Sequence, residues 1–168
     1  MEKNNEQQEF EDLLIKLTKK QAEEMAALEV EPPEKFINVN EGRVFPKLCY
    51  EKSFEYFMDM FVDFNAPGHG VMVNGVVKSN EFGSIFGHAW VEIENSFVFD
   101  GVLQRFYDKD EYYAFYNVGK TFKFPPNKIL DLINSSNSAG YYPKIEIEVS
   151  KETLKRADLL GYDEKATI

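Results

Sequence analysis

The sequence has few of the residues that secreted and nucleic-acid-binding proteins rely on. It contains a single cysteine, Cys49, so no intramolecular disulfide can form and a reducing compartment is expected. Its 19 Lys and Arg residues are outnumbered by 29 Asp and Glu residues, which gives a formal net charge of -10. Such a chain lacks the concentrated positive charge that neutralises phosphates, so we expect no direct nucleic-acid binding.

Long apolar runs and cofactor motifs are also missing. No run approaches the length of a membrane span, and the polar N-terminus lacks the features of a signal peptide. We therefore expect a cytoplasmic protein without membrane contact. No zinc-finger, P-loop or dinucleotide-binding spacing occurs, so neither a cofactor nor a bound metal is expected.

The composition that remains is that of a globular protein. Hydrophobic residues make up 43% of the 168 residues and aromatic residues 15%, enough for a sizeable core in one domain over 1–168. We expect an N-terminal helix within 1–33, a core over 34–149 and a C-terminal helix within 150–168. Further patterns predict strands at 71–77, 122–124 and 145–149. Helices are predicted at 108–116, with Asp108 as N-cap, and at 127–133. The segment at 101–106 is predicted to continue or follow the strand that ends at Asp100.

The N-terminal helix is predicted over residues 6–29, before Pro32 and Pro33. Packing on its own domain is the preferred interpretation, and pairing with a helix of a partner protein is the alternative. The apolar face is formed by Phe10, Leu13, Leu14, Leu17, Met25 and Leu28.

The stretch from Gly87 to Asp100 predicts two short strands joined by a tight turn. With a three-residue loop at 94–96, His88 and Asp100 lie on one face as diagonal neighbours, about 7–8 Å apart at the backbone. A carboxylate in this position fixes the tautomer of the imidazole, as a general base requires. A two-residue loop would place Asp100 on the opposite face, and Asp108 or Glu92 would then be the partner. The other face would hold Ala89, Val91, Ile93, Phe97 and Phe99.

Cys49 lies at the head of a second helical pattern, predicted from about residue 48 to 63, with Pro46 as a start signal. A thiol in the first turn of a helix feels the positive end of the helix dipole, which favours the thiolate. The alternative is a small buried hydrophobic residue. The recurring apolar positions are Tyr50, Phe54, Phe57, Met58 and Phe61.

A cysteine at a helix start, a histidine on a later strand and an acid on the next strand resemble the transglutaminase-like branch of the papain-like thiol enzymes. The resemblance covers roughly residues 45–117. Its most specific part is the stretch Gly87 to Glu92, with the His-Ala-Trp tripeptide at 88–90 and Asp100 downstream. It implies an α+β, papain-like or transglutaminase-like fold, in which the Cys-bearing helix packs on an antiparallel sheet, with additional N- and C-terminal helices.

The resemblance also implies a reaction. Cys49 would attack an amide or related acyl bond of a protein, peptide or small substrate, His88 would transfer the proton, and Asp100 would orient His88. Water as the second nucleophile gives hydrolysis, and an amine gives transamidation. The backbone N–H of Cys49 is one donor to the oxyanion, but the family's upstream Gln is missing between residues 22 and 103. Asn38, Asn40 and Tyr50 are candidates for the second donor.

Two further positions compare with the family pattern. Tyr50 stands where the family usually has a Trp or a similar aromatic residue after the cysteine. Ser53 matches the small residue four positions after the cysteine.

Several residues have both a binding and a structural interpretation. Tyr50, Trp90 and His69 are weak candidates for substrate binding, while Trp90 is equally explained by packing and His69 by its turn between two glycines. Cys49, His88 and Asp100 would also be competent zinc ligands. The tyrosine cluster lines a groove or covers a buried helix face: Tyr107, Tyr112, Tyr113 and Tyr116.

The alternative function is that of a catalytically silent, acidic interaction or inhibitor protein that keeps the fold. The charge and the N-terminal helix, which could bind a partner protein, support that alternative.

Overall fold

The computed structural model describes residues 5–63, 69–78, 83 and 85–135. The helices are α1 (Asn5–Glu24), α2 (Cys49–Phe57), α3 (Lys109–Phe115) and α4 (Pro126–Ser135), and α2 continues as a π-helical turn, Met58–Asp63. The strands are β1 (Gly70–Lys78), β2 (Ile85–Ile93), β3 (Phe97–Asp100), β4 (Arg105–Asp108) and β5 (Thr121–Phe124). Short 3-10 turns lie at Ala26–Leu28 and Glu34–Phe36. The predicted strand at 145–149 and the C-terminal helix lie outside the described residues.

The five strands form one antiparallel sheet in the order β4-β3-β2-β1-β5. The expectation of an α+β protein with a helix packed on an antiparallel sheet is confirmed, since α2 packs against β2 and β1. The N-cap of α3 is also as predicted, because the Asp108 side chain accepts a hydrogen bond from the N–H of Glu111. In the part of the chain described here, no helix is long and apolar enough to cross a membrane.

Hydrophobic clusters line both faces of the sheet, and alternation along β2 divides its side chains between them. The first combines residues of α2, α4 and the sheet: Phe36, Tyr56, Phe57, Met60, Phe61, Met72, Ala89, Val91, Ile93, Phe99, Phe106, Phe124 and Ile129. The second combines residues of α1, α3 and the sheet: Ala22, Met25, Val73, Val77, Trp90, Val98, Leu103, Tyr107, Tyr112 and Tyr116. The five apolar residues predicted to share one face of the β2–β3 hairpin all belong to or pack on the first cluster.

The apolar face predicted for the N-terminal helix is only partly the face that packs. Phe10, Leu13 and Leu17 are 51%, 50% and 53% exposed. Of the predicted residues, Met25 is fully buried and Leu28 packs on the second cluster, and the buried side also includes Thr18 and Ala22, which were not predicted. Thr18 and Ala22 are small and are buried on this side, whereas the larger Leu13 and Leu17 stay half exposed. The helix also ends earlier than predicted, at Glu24.

The segment at 101–106 does not continue β3, and it contains a strand that the sequence pattern did not reveal. The chain turns at residues 101–104, and β4 then pairs with β3 as a new edge strand. The side chain of Asp100 drives the turn, because its Oδ1 accepts hydrogen bonds from the N–H groups of Val102 and Leu103. Gln104 completes the turn in a left-handed conformation, with φ of 54°.

Gly75 on β1 allows a close contact with the Trp90 ring on β2. A Cβ atom at Gly75 would lie 2.3 Å from Cη2 of Trp90, which is too close for any side chain. The strand pairing runs without interruption from Gly70 to Lys78, so the glycine makes room for the Trp90 ring and does not mark a bulge.

A second close approach, at Gly101, joins β3 to α2. The β2–β3 pairing covers only Val91 to Ile93 on β2, so the start of α2 can lie beside the remainder of that strand. A Cβ at Gly101 would lie 2.5 Å from the backbone nitrogen of Ser53, and the Ser53 hydroxyl donates to the carbonyl of Ala89 at 3.1 Å. The small residue expected four positions after Cys49 therefore meets two strands at once.

We predict that Gly101→Ala destabilises the protein by about 1–3 kcal/mol, because the added methyl meets helix backbone that cannot rotate away. The free energy of unfolding in urea measures the effect. The control is Gly42→Ala, where a Cβ meets no atom within 4 Å but φ is +72°. That variant costs about 1 kcal/mol from backbone conformation alone. An equal or smaller loss at Gly101 would contradict the close contact.

Candidate active site

The predicted register of the β2–β3 hairpin is confirmed. Ile93 pairs with Phe97 and Glu92 with Val98, so the turn consists of residues 94–96. His88 and Asp100 consequently lie on the same face, and His88 Nε2 is 3.1 Å from Asp100 Oδ2. Both side chains are shielded from water, with His88 6% and Asp100 0% exposed.

Each carboxylate oxygen of Asp100 has two hydrogen-bond partners. Its Oδ1 accepts from the N–H groups of Val102 at 2.8 Å and Leu103 at 3.0 Å. Its Oδ2 accepts from the Tyr112 hydroxyl at 2.6 Å and faces His88 Nε2. A buried carboxylate with this number of donors is held rigidly in its ionised form.

Tyr112 is a third member of the buried network, which the sequence interpretation did not assign. Its hydroxyl lies 3.0 Å from His88 Nε2 as well as donating to Asp100. Because the hydroxyl proton is given to Asp100, both oxygens that face Nε2 are acceptors. Nε2 therefore carries a proton, and Nδ1 is the ring nitrogen that remains for a further partner.

Cys49 is the first residue of α2 and is partly exposed. Its side chain lies close enough to His88 to favour the charged form of the imidazole. The structure thus brings together the three residues predicted to form a catalytic triad, Cys49, His88 and Asp100.

The electrostatics of the site favour a charged imidazole. Burial opposes the charged form of His88, but hydrogen bonds and negative charge from Asp100 and Cys49 outweigh it and raise the pKa of His88 from 6.5 to about 10. Burial also disfavours the charged form of Asp100 and by itself would raise its pKa. The interactions of Asp100 with His88 and Tyr112 outweigh burial and hold that pKa below its ordinary value. Burial and the charge of Asp100 raise the pKa of Tyr112 well above 10, so its hydroxyl stays protonated.

The two alternative acids are engaged elsewhere. Glu92 is buried, accepts a hydrogen bond from the Tyr113 hydroxyl and lies 2.8 Å from Lys123 Nζ. Asp108 caps α3 at the far end of β4. Asp100 is therefore the carboxylate that partners His88.

The three weak substrate-binding candidates have different positions. Tyr50 is partly buried beside Cys49 and packs on the first cluster. Trp90 is 0% exposed and its ring lies 5.9 Å from that of His88. It therefore packs against the buried side of the imidazole and does not line a surface that is open to substrate. His69 precedes Gly70, which pairs with Ile93 at the end of the sheet opposite to His88. At about 3.4 Å per residue it lies roughly 20 Å along β1 from the triad.

The candidates for a second oxyanion donor are also separated by the structure. Asn40 donates through its backbone N–H to Gln104 Oε1 at 3.0 Å, and the buried Gln104 donates back to the carbonyl of Gly101. Asn40 is thus part of a contact that ties the loop before Cys49 to the turn after Asp100. Asn38 is exposed, and Tyr50 follows Cys49 directly in the chain.

Two members of the tyrosine cluster, Tyr112 of α3 and Tyr116 at its C-terminal end, cover the site from one side. Tyr112 and Tyr116 are buried on α3 one turn apart, and the Tyr116 ring lies 5.2 Å from that of His88. Gln21 of α1 donates to the Tyr116 hydroxyl at 2.7 Å. Tyr112 and Tyr116 are four residues apart in the helical pattern that begins at the Asp108 N-cap, which predicts that they share a face. Nothing in the sequence indicated that this face lies against His88.

The alternative of a metal centre gains no geometric support. Among the residues that the structure describes, no group of three or more His, Cys, Asp or Glu side chains is arranged to hold a metal ion. The carboxylate of Asp100 is already occupied by four donors, and His88 Nε2 by two oxygens.

We predict that the stability added by His88 depends on pH. Because its pKa is raised on folding, the contribution is complete below pH 6.5 and is lost as the pH rises toward 10. The free energy of unfolding should fall by up to about 1.4 kcal/mol per pH unit relative to His88→Gln. Urea unfolding of both proteins at several values from about pH 6 to 9 measures this difference. Parallel curves would contradict it.

We predict that Tyr112→Phe lowers the free energy of unfolding by about 1.5–3 kcal/mol, because a buried carboxylate loses a hydrogen bond. The matched control is Tyr107→Phe. Tyr107 is also buried and packs on Tyr112, with ring centroids 5.7 Å apart, but its hydroxyl has no hydrogen-bond partner among the described residues. Its removal should be neutral or stabilising, and similar losses in both variants would contradict a special role for the Tyr112 hydroxyl.

No family model matches the chain, and no curated protein or solved structure matches it significantly. The inference of a function therefore depends on the arrangement of the residues around Cys49 and His88.

Proposed function

We propose that the protein is a cysteine-dependent acyl-transfer enzyme of the transglutaminase-like, papain-like type, with Cys49 as nucleophile. The observation that carries the proposal is the position of His88. One ring nitrogen faces Asp100 at 3.1 Å, and the ring also lies within interaction range of the partly exposed Cys49 thiol. A nucleophile, a base and an orienting acid in this order can transfer acyl groups through a thioester.

The reaction begins with attack of the Cys49 sulfur on the carbonyl carbon of an amide or related acyl bond. Cys49 gives its proton to His88, which passes it to the leaving group as the bond to that group breaks. Water then attacks the thioester and releases a carboxylic acid, or an amine attacks and forms a new amide. In both cases His88 accepts a proton from the second nucleophile and returns it to Cys49.

The helix start favours the negative charges that this reaction needs. Leu48, the residue before α2, makes no side-chain capping bond, and its carbonyl accepts a hydrogen bond from the N–H of Lys52. The partial positive charge at a helix start stabilises an anion placed there. The N–H of Cys49 would donate to the oxyanion of the tetrahedral intermediate.

The second candidate is the acidic interaction protein without catalysis. Its supporting observations are the net charge of -10 and the half-exposed apolar residues on α1. It requires an occluded or misaligned triad. The partly exposed thiol and the short His88–Asp100 distance favour the enzyme instead.

We predict that iodoacetamide alkylates Cys49 rapidly near pH 6.5, because the imidazolium of His88 stabilises the thiolate. His88→Ala should slow alkylation by about tenfold or more. The matched control is His69→Ala, which removes the other histidine at the far end of β1 and should leave the rate unchanged. The rate is followed from the mass of the intact protein, and circular dichroism verifies the fold of each variant.

A second readout tests turnover directly. An activated acyl ester should place its acyl group on Cys49 of the wild type and of His69→Ala, and on neither Cys49→Ala nor His88→Ala. Alkylation and acylation rates that do not depend on His88 would overturn the proposed function.

A further inference from the structure

The apolar residues of α1 that lie outside the core form a row along one edge of the helix. Phe10, Leu13 and Leu17 are each about half exposed, and the partly buried Leu14 lies between them. With 3.6 residues per turn, positions 10, 14, 17 and 21 lie on one side of the helix, and position 13 flanks them. We call Phe10, Leu13, Leu14 and Leu17 the apolar row.

Both ends of the row are fixed beside the candidate active site. At one end, Lys47 Nζ lies 4.8 Å from the centre of the Phe10 ring, and Lys47 is two residues before Cys49. At the other end, Gln21 continues the line of the row and donates to the hydroxyl of Tyr116.

The second end is connected to the histidine through Tyr116, because the Tyr116 ring packs 5.2 Å from the ring of His88. From Phe10 to Gln21 the helix rises about 16 Å. Cys49 is two residues after Lys47 in the chain and interacts with His88, so each end of the row lies next to a neighbour of the thiol or of the histidine.

We propose that the apolar row is one wall of the substrate cleft at Cys49, and that the preferred substrate is an acyl donor with an extended apolar chain next to its carbonyl group. This inference rests on the proposed function, since the thiol fixes where the carbonyl lies. With the carbonyl at Cys49, the carbons that follow it lie against the leucines. Their burial there explains why a helix edge carries large apolar side chains that the core does not use.

A series of p-nitrophenyl esters with straight acyl chains, from acetyl to octanoyl, tests the proposal. Cys49 forms a carbon–sulfur bond to the acyl group as the ester carbon–oxygen bond breaks and p-nitrophenolate leaves. Water then releases the carboxylic acid and restores the thiol. A fully buried methylene would increase the acylation rate about fourfold, so about twofold per methylene is expected on a half-open wall.

The test variant is Leu13→Gln combined with Leu17→Gln, since glutamine keeps the helix propensity of leucine. It should lose most of the increase in rate from acetyl to octanoyl. The control is Ile15→Gln, because Ile15 is also an exposed apolar residue of α1, at 38%, but lies on the other side of the helix. The control should keep the full preference.

The outcomes separate this inference from the proposed function. Acylation of the wild type without a chain-length preference, or a preference that survives in the double variant, would overturn the apolar wall while the enzyme stands. A change in solution mass of the double variant with an unchanged preference would instead assign the row to protein association. Failure of every ester to acylate Cys49 would overturn the function itself.

Discussion

The hydrogen bond between His88 and Asp100 across the β2–β3 hairpin is the constraint on which the site depends. It requires a three-residue turn, since a shift of one residue would move Asp100 to the opposite face. The turn is costly, because Glu94 and Asn95 both have positive φ values, of 53° and 56°. Contacts from outside the hairpin offset this cost, because Lys109 donates to the side chain of Asn95 through Nζ and to the carbonyl of Ser96 through its backbone N–H.

The same pair determines how the surrounding polar groups must be placed. Removing an imidazolium and a carboxylate from water costs several kcal/mol for each ion, and their attraction compensates only when the remaining hydrogen bonds are satisfied. Asp100 meets this condition through Val102, Leu103 and Tyr112. Since two of those donors are backbone groups of the turn after β3, the carboxylate that orients His88 also shapes the chain that leads into β4.

The parts of the site that could be predicted are those whose contacts are local in the sequence. The hairpin register followed from alternation and turn length, and the position of Cys49 from a helical pattern. Tyr112 is 24 residues from His88, and Gln21 is 95 residues from Tyr116, so no pattern in either segment predicts these contacts. The packing side of α1 was missed for a different reason. Periodicity reveals an apolar stripe but not whether it is buried, and here the buried side includes the smaller Thr18 and Ala22.

The closed polar network at His88 and the half-exposed apolar row on α1 differ in how their residues depend on one another. Behind the thiol, His88, Asp100 and Tyr112 form a closed network in which every polar atom limits the position of the next, so change there alters both charge and stability. On α1, the outer leucines of the apolar row are half exposed and form no part of the core. Among the described hydrogen bonds, the one from Gln21 to Tyr116 joins the helix that carries the row to the tyrosine that packs on His88. In the proposed enzyme, replacement of the leucines would therefore alter which acyl groups fit without disturbing the charges of His88 and Asp100.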